Sequence, residues 1–142
     1  MPADFFIDVP LSMVFSKATG EFGLAEAQEH MDRLLRHPDF RPEFTQLADF
    51  REITTVTLTH QEISRLAARR IFSNTSKRAF VVSSNLQFGL SRMFGTLRGF
   101  EGETGIHVFR EMEKALAWLS LSAAPAAGAF ARLGTNDLQT RS

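Results

Sequence analysis

Few residues in this chain are of types that do chemistry, and their spacing narrows them further. The four histidines are His30, His37, His60 and His107. No two lie four residues apart, as they would on one face of a zinc-binding helix, and no His-Glu-x-x-His motif occurs. No metal site is expected. His60 reads as a solvated residue at a helix start, beside a candidate binding rim. His107 alternates with Ile106 and Val108, so in a strand it faces away from both, toward the surface. Ser83, His60 and Asp49 have the residue types of a hydrolytic triad, but no Gly-x-Ser-x-Gly elbow surrounds the serine. Gly95, Gly99, Gly102 and Gly105 match neither a phosphate loop nor a dinucleotide fingerprint. The carboxylate pairs Glu101/Glu103 and Glu111/Glu113 read as solvated. Cys and Tyr are absent, which removes thiol nucleophiles, thiolate metal sites, disulfides and phenolic acid–base chemistry. No constellation carries a reaction, so no enzyme activity, catalytic residue or cofactor is expected.

The charge pattern is uneven. Between Glu62 and Glu101 the chain has no acidic residue, yet the interval holds Arg65, Arg69, Arg70, Lys77, Arg78, Arg92 and Arg98. If the helices of this region lie side by side, Arg65, Arg69, Arg70 and Arg92 form a positive patch suited to an acidic protein or an anionic membrane surface. The plainer reading is that each is solvated or pairs with Glu26, Glu29 or Glu43. Phe88 and Phe100, off the apolar stripe, favour the interaction reading. The formal net charge is zero, and no nucleic-acid module is present, so nucleic acid is not an expected partner.

These residues need elements to position them. A chain of 142 residues with 44% hydrophobic content suits one domain with a real core. Phe5 to Val9 and Met13 to Ser16 read as short strands, with a turn at Lys17 to Gly20. Leu24, Ala27, Met31, Leu34 and Leu35 mark one face of a helix over 24–36, stopped by Pro38. Phe44 to Phe50 is a strand that hands over near Asp49, and Thr54 to Thr57 is either its continuation or extended loop. Thr59 caps a helix that runs to about Phe72, with Glu62 at capping-box spacing. Arg78 to Ser83 is the most strand-like run. Asn85 caps the next helix, whose inner stripe is Leu86, Leu90, Met93, Phe94 and Leu97. Gly99 to Gly105 is a turn-rich connection. Ile106 to Phe109 is the last strand, followed by a helix over about 110–121. Ser122 to Ser142 reads as a flexible Ala/Gly-rich tail, with at most a short helical piece near Phe130. Alternating strands and helices predict a mixed, mostly parallel sheet with about four packed helices. Ligands of such sheets bind beyond the carboxyl ends of the parallel strands. That rule selects Asp49, Thr57, Thr59, His60, Ser83, Ser84, Asn85 and Phe88 as site candidates.

In that order and spacing the chain resembles the SpoIIAA-like superfamily, which joins STAS domains with CRAL-TRIO lipid-binding domains. The closest similarity is to small bacterial STAS/CRAL-TRIO-like proteins of largely unassigned function. The resemblance covers about residues 5–121. It is carried by Asp49-Phe50-Arg51, by Leu58 to Glu62, by Phe88 to Phe94, by Val108 to Arg110 and by Glu113 to Leu119. It implies an α/β domain that binds rather than reacts. In anti-sigma antagonists of the family, a serine in an Asp-Ser-Ser-Gly segment is phosphorylated. Here the corresponding Thr57 to His60 lacks Asp-Ser-Ser and Gly, so Thr59 is a phosphoacceptor candidate for which helix capping is the plainer role. Two functions follow from the resemblance: a STAS-type module docking a protein partner, or a CRAL-TRIO-like binder of a small apolar ligand or lipid. Full CRAL-TRIO domains carry an extra helical gate. Phe130 and Leu133 are large apolar residues the tail offers for one.

No apolar run approaches the ~20 residues that span a bilayer. No secretory signal is visible. A cytoplasmic protein is expected, with a homodimer as an open option.

Overall fold

Apolar residues alternate along the strands and recur every three or four positions along the helices, which produces a sheet covered on both faces. The structure is a computed structural model that describes residues 3–141, with side chains through residue 133. In chain order the elements are β1 (Ala3–Asp8), β2 (Met13–Phe22), α1 (Leu24–Arg36), β3 (Thr45–Val56), α2 (His60–Ala67), β4 (Arg78–Val81), α3 (Asn85–Phe100), β5 (Ile106–Phe109), α4 (Met112–Trp118) and α5 (Ala123–Arg141). Among the described residues, five strands form one sheet in the order β1-β2-β3-β4-β5. The β1/β2 pair is antiparallel and the other pairs are parallel. This is the expected α/β class, with five helices among the described residues where about four were expected.

The register decides which residues face which layer. Phe15, Leu47 and Ala79 lie side by side on three strands and pack, with Val81, against α4 and α5. One residue along, the row Ser16–Ala48–Phe80 and the neighbouring row Val14–Gln46–Arg78 face α1, α2 and α3. Two polar residues and an arginine thus point into a layer that strand alternation reserves for apolar side chains.

Several boundaries differ from expectation for identifiable reasons. The turn expected at Lys17 to Gly20 is instead the middle of β2, whose register to β3 shifts between Lys17 and Thr19 and again at Gly20. Gly20, at φ 68°, absorbs the irregularity without leaving the sheet. β3 continues through Ile53-Thr54-Thr55-Val56, so Asp49 is mid-strand rather than at a strand end. α2 stops at Ala67 instead of Phe72. Arg98 Nη1 takes the Ala67 carbonyl at 2.8 Å, occupying an acceptor left free by the helix end. Ile71 and Phe72 then turn inward against Leu34 and Phe40. Ser84, not Asn85, caps α3, its hydroxyl accepting from the Gln87 amide at 3.0 Å. Leu86 and Leu35, expected to be buried, are exposed.

Residues 123–141, expected as a flexible tail, form α5. Ala126, Ala129 and Leu133 are buried, and the Phe130 ring meets Phe15 edge-on at 5.8 Å. Alanines three apart make an apolar stripe narrow enough for close approach to the sheet, although large apolar residues are sparse. Phe130 and Leu133 therefore support the core on the α4/α5 face rather than gating a pocket on the other. Ser142 lies outside the described residues.

The α3 terminus is a Schellman motif. Glu103 N–H donates to Arg98 O, and Gly102 N–H donates to Gly99 O, each at 3.0 Å. Gly102 has φ 96°, and a Cβ there would sit 2.7 Å from Asn74 Nδ2. Gly102→Ala is expected to cost about 1–2 kcal/mol through backbone strain. A lowered urea midpoint at constant slope would show it; an unchanged midpoint would contradict this account of the turn.

Candidate functional site

Between the sheet face and α1, α2 and α3 lies a half-open cavity of about 130 Å³. Its walls are mostly apolar: Met31 and Leu34 from α1, Ile63 and Leu66 from α2, Leu90 and Phe94 from α3, with Phe22, Phe50 and Phe80 from the strands. A void of this size is comparable to the roughly 150 Å³ apolar cavities known to admit benzene or xenon.

One side of the cavity is polar. Ser16, His30, Gln46 and Arg78 all line it. They form a hydrogen-bonded chain: His30 Nε2 lies 3.1 Å from Ser16 Oγ, Gln46 Nε2 donates to Ser16 Oγ at 3.0 Å, and Arg78 Nε donates to Gln46 Oε1 at 3.0 Å. Arg78 Nη1 continues to Glu103 Oε2 at 3.0 Å, and Arg98 Nε donates to Glu103 Oε1 at 2.9 Å. The Arg78 guanidinium also lies 4.3 Å from the Phe72 ring centre, a cation–π contact inside the protein. Glu103 is 0% exposed. Its reading as a solvated carboxylate is therefore corrected: the Schellman turn folds it inward between two arginines.

Desolvation lowers the proton affinity of both nitrogen bases in this network. Burial pulls Arg78 below the usual arginine range, opposed mainly by Glu103. His30 is half-buried and faces the cavity. Burial holds it down at about 4, with Arg33 and Arg78 lowering it further and Asp4 opposing them. It is a neutral ring at physiological pH.

The residues selected from sequence lie elsewhere. Asp49 is buried on the α4/α5 side of the sheet, two positions along from Leu47, and pairs with Arg51 at 2.9 Å. Thr59 caps α2: its hydroxyl accepts from Glu62 N–H at 3.1 Å, and Glu62 Oε1 accepts from Thr59 N–H at 3.0 Å. Thr57 and His60 are exposed, and Thr57 packs against Gly23. Ser83 Oγ donates to Arg51 O at 3.0 Å, and Arg110 Nη2 donates to Asn85 Oδ1 at 3.0 Å. Phe88 lies under the Arg110 guanidinium at 4.3 Å and that of Arg92 at 5.8 Å. Ser83, Asn85, Phe88 and Arg110 thus gather at the carboxyl ends of β4 and β5. Among the described residues no hydrogen bond joins Ser83, His60 and Asp49.

The arginines of the basic interval have divergent environments. Arg69 pairs with Asp32 at 2.9 Å, and Arg70 donates to Asn74 Oδ1 and to the Glu101 carbonyl. Arg78 and Arg98 are internal. Arg65, Arg70 and Arg92 are the exposed members of the four patch candidates, and none of them makes an ion pair among the described residues.

No protein-family profile matches the chain, and no curated protein matches it. Among solved structures, an uncharacterized protein of the DUF3478 family with a SpoIIAA-like fold, from Shewanella loihica PV-4, superposes with a TM-score of 0.53 at 19% identity. The match covers 82% of this chain and 93% of that one. This chain has a SpoIIAA-like fold. Within its SpoIIAA-like sheet, the polar side chains of the inner face are the ones sequence reasoning missed. A signal was present: His30 falls three residues after Ala27 and four before Leu34, squarely on the apolar stripe of α1.

Proposed function

We propose that this protein binds a small, largely apolar ligand between its sheet and helices α1, α2 and α3. The observation that carries the reading is the apolar cavity of about 130 Å³ on that face. A well-packed interior of this size leaves few voids larger than a water molecule. The reading corresponds to the lipid-binding side of the superfamily resemblance, with a compact ligand in place of a whole phospholipid.

Ala27 lines the cavity from α1 and is buried against Ile63 and Leu66. Ala27→Leu fills part of the space. The expected result is weaker binding of hexanol by about ten-fold or more, with unfolding stability held or raised by about 0.5–2 kcal/mol. Calorimetric titration beside urea unfolding measures both. Unchanged hexanol affinity in a folded Ala27→Leu protein would remove the cavity as the binding site.

A STAS-type docking role has one observation in its favour. Leu86 is 55% exposed beside Phe88, at the start of α3 where Arg92 and Arg110 gather. If a second copy occupies this rim, sedimentation equilibrium shows a dimer that Leu86→Asp disperses. A monomer at all concentrations would count against self-docking there.

A further inference from the structure

The interior on the cavity side holds more positive charge than negative. Arg78 and Arg98 are 5% and 1% exposed, and both lean on the single carboxylate of Glu103. The remaining ionic groups around the cavity are matched, Lys17 with Glu52 and Arg33 with Asp4. A buried cation without its own counter-charge is costly unless something compensates it. Arg98 Nη2 is buried with no hydrogen-bond partner among the described residues. Arg78 uses Nε on Gln46 and Nη1 on Glu103. Its Nη2 makes no hydrogen bond to a described residue, and the side chain lines the cavity.

We infer that the cavity takes a monoanion with an apolar body, a small aliphatic or aromatic monocarboxylate, whose carboxylate lies against Arg78 while its body fills the apolar space. One negative charge restores neutrality to the two arginines and Glu103. The planar guanidinium suits a carboxylate geometrically. Gln46 and Ser16 complete the polar end, and neutral His30 adds a ring nitrogen that donates or accepts. A dianion or phosphate would exceed the single surplus charge, so phosphate monoesters are expected to bind poorly.

This inference rests on the apolar-ligand reading, and the test separates the two. Hexanoate and octanoate, ionised near neutral pH, are titrated against hexanol and octanol by calorimetry on the full chain. Each carboxylate is expected to bind at least about ten-fold more tightly than the alcohol of equal length, a difference of about 1.4 kcal/mol. Arg78→Met leaves Glu103 paired one-to-one with Arg98. It is expected to bring the carboxylate-to-alcohol ratio to near one while alcohol binding persists. Equal affinities in the wild-type protein, or a preference that survives Arg78→Met, would overturn the monocarboxylate assignment while leaving the apolar site standing. Failure of all the probes to bind would overturn both. Should Arg78→Met not fold, the wild-type comparison still decides.

Discussion

Glu103→Gln is expected to destabilise the protein by about 3–5 kcal/mol, the range found when one partner of a buried ionic group is removed. The carboxylate accepts from Arg78 at 3.0 Å and from Arg98 at 2.9 Å, and it has no exposed surface. A glutamine is nearly the same shape, but its NH₂ faces a guanidinium and its charge is gone. Two cations would then lie in the interior without a counter-charge. Arg98 also holds the last turn of α2 through the Ala67 carbonyl, so its displacement loosens that helix end. The check is urea unfolding at neutral pH with a shared slope. A loss below about 1 kcal/mol, typical of an exposed pair, would mean the network is solvated and the charge argument fails. Adding octanoate should recover part of the loss, because it brings the missing negative charge.

The second large effect is a pH dependence localised to His30. Its folded value of about 4 lies below the ordinary 6.5. As pH falls, the unfolded chain takes the proton first, so the unfolded state binds more protons between these values. Stability from this group is complete above about 6.5. It declines as pH falls toward about 4 and then levels, for a total of about 3 kcal/mol at most. The facing groups are Arg33 on its own helix, Arg78 from β4 and Asp4 from β1, with Ser16 and Gln46 as neutral neighbours. His30→Gln should remove this component while leaving the carboxylate titrations common to both proteins. The difference between the two proteins' unfolding free energies, measured from pH 4 to 8, isolates it. Parallel curves would show that His30 titrates normally and does not face a desolvated cavity.

The layering of the fold was legible because it depends on periodicity. α1 has the bounds its apolar spacing gives, since a regular stripe ends at a proline. β4 and β5 follow from short β-branched and aromatic runs. Missed features come from interactions between distant segments. β3 runs past Phe50 because β2 is long enough to pair with it, a fact of register rather than of local composition. α2 ends early because an arginine 31 residues away caps it. α5 is held by small residues fitting a flat sheet face, which composition alone scores as tail.

The candidate site was less legible, for a related reason. The rule that ligands gather at strand carboxyl ends leads to Ser83, Ser84, Asn85 and Phe88, and the structure does bring these together with Arg110. The cavity instead lies on a face of the sheet. Its hydrogen-bonded chain of Ser16, His30, Gln46 and Arg78 draws on four elements, and of these only His30, on the apolar stripe of α1, stands out in its own segment. Arg78 opens the most apolar strand, and Gln46 interrupts FTQLADF. Only their pairing across β3 and β4 shows that they share an interior row.

The central claim is that a real, accessible apolar space separates the sheet from α1, α2 and α3. The most direct test is a crystal structure of the protein determined under xenon pressure, because xenon enters apolar cavities of this size. The account predicts xenon density bounded by Ile63, Leu66, Phe80 and Leu90. A filled, continuous core there, with xenon absent from that position, would contradict it.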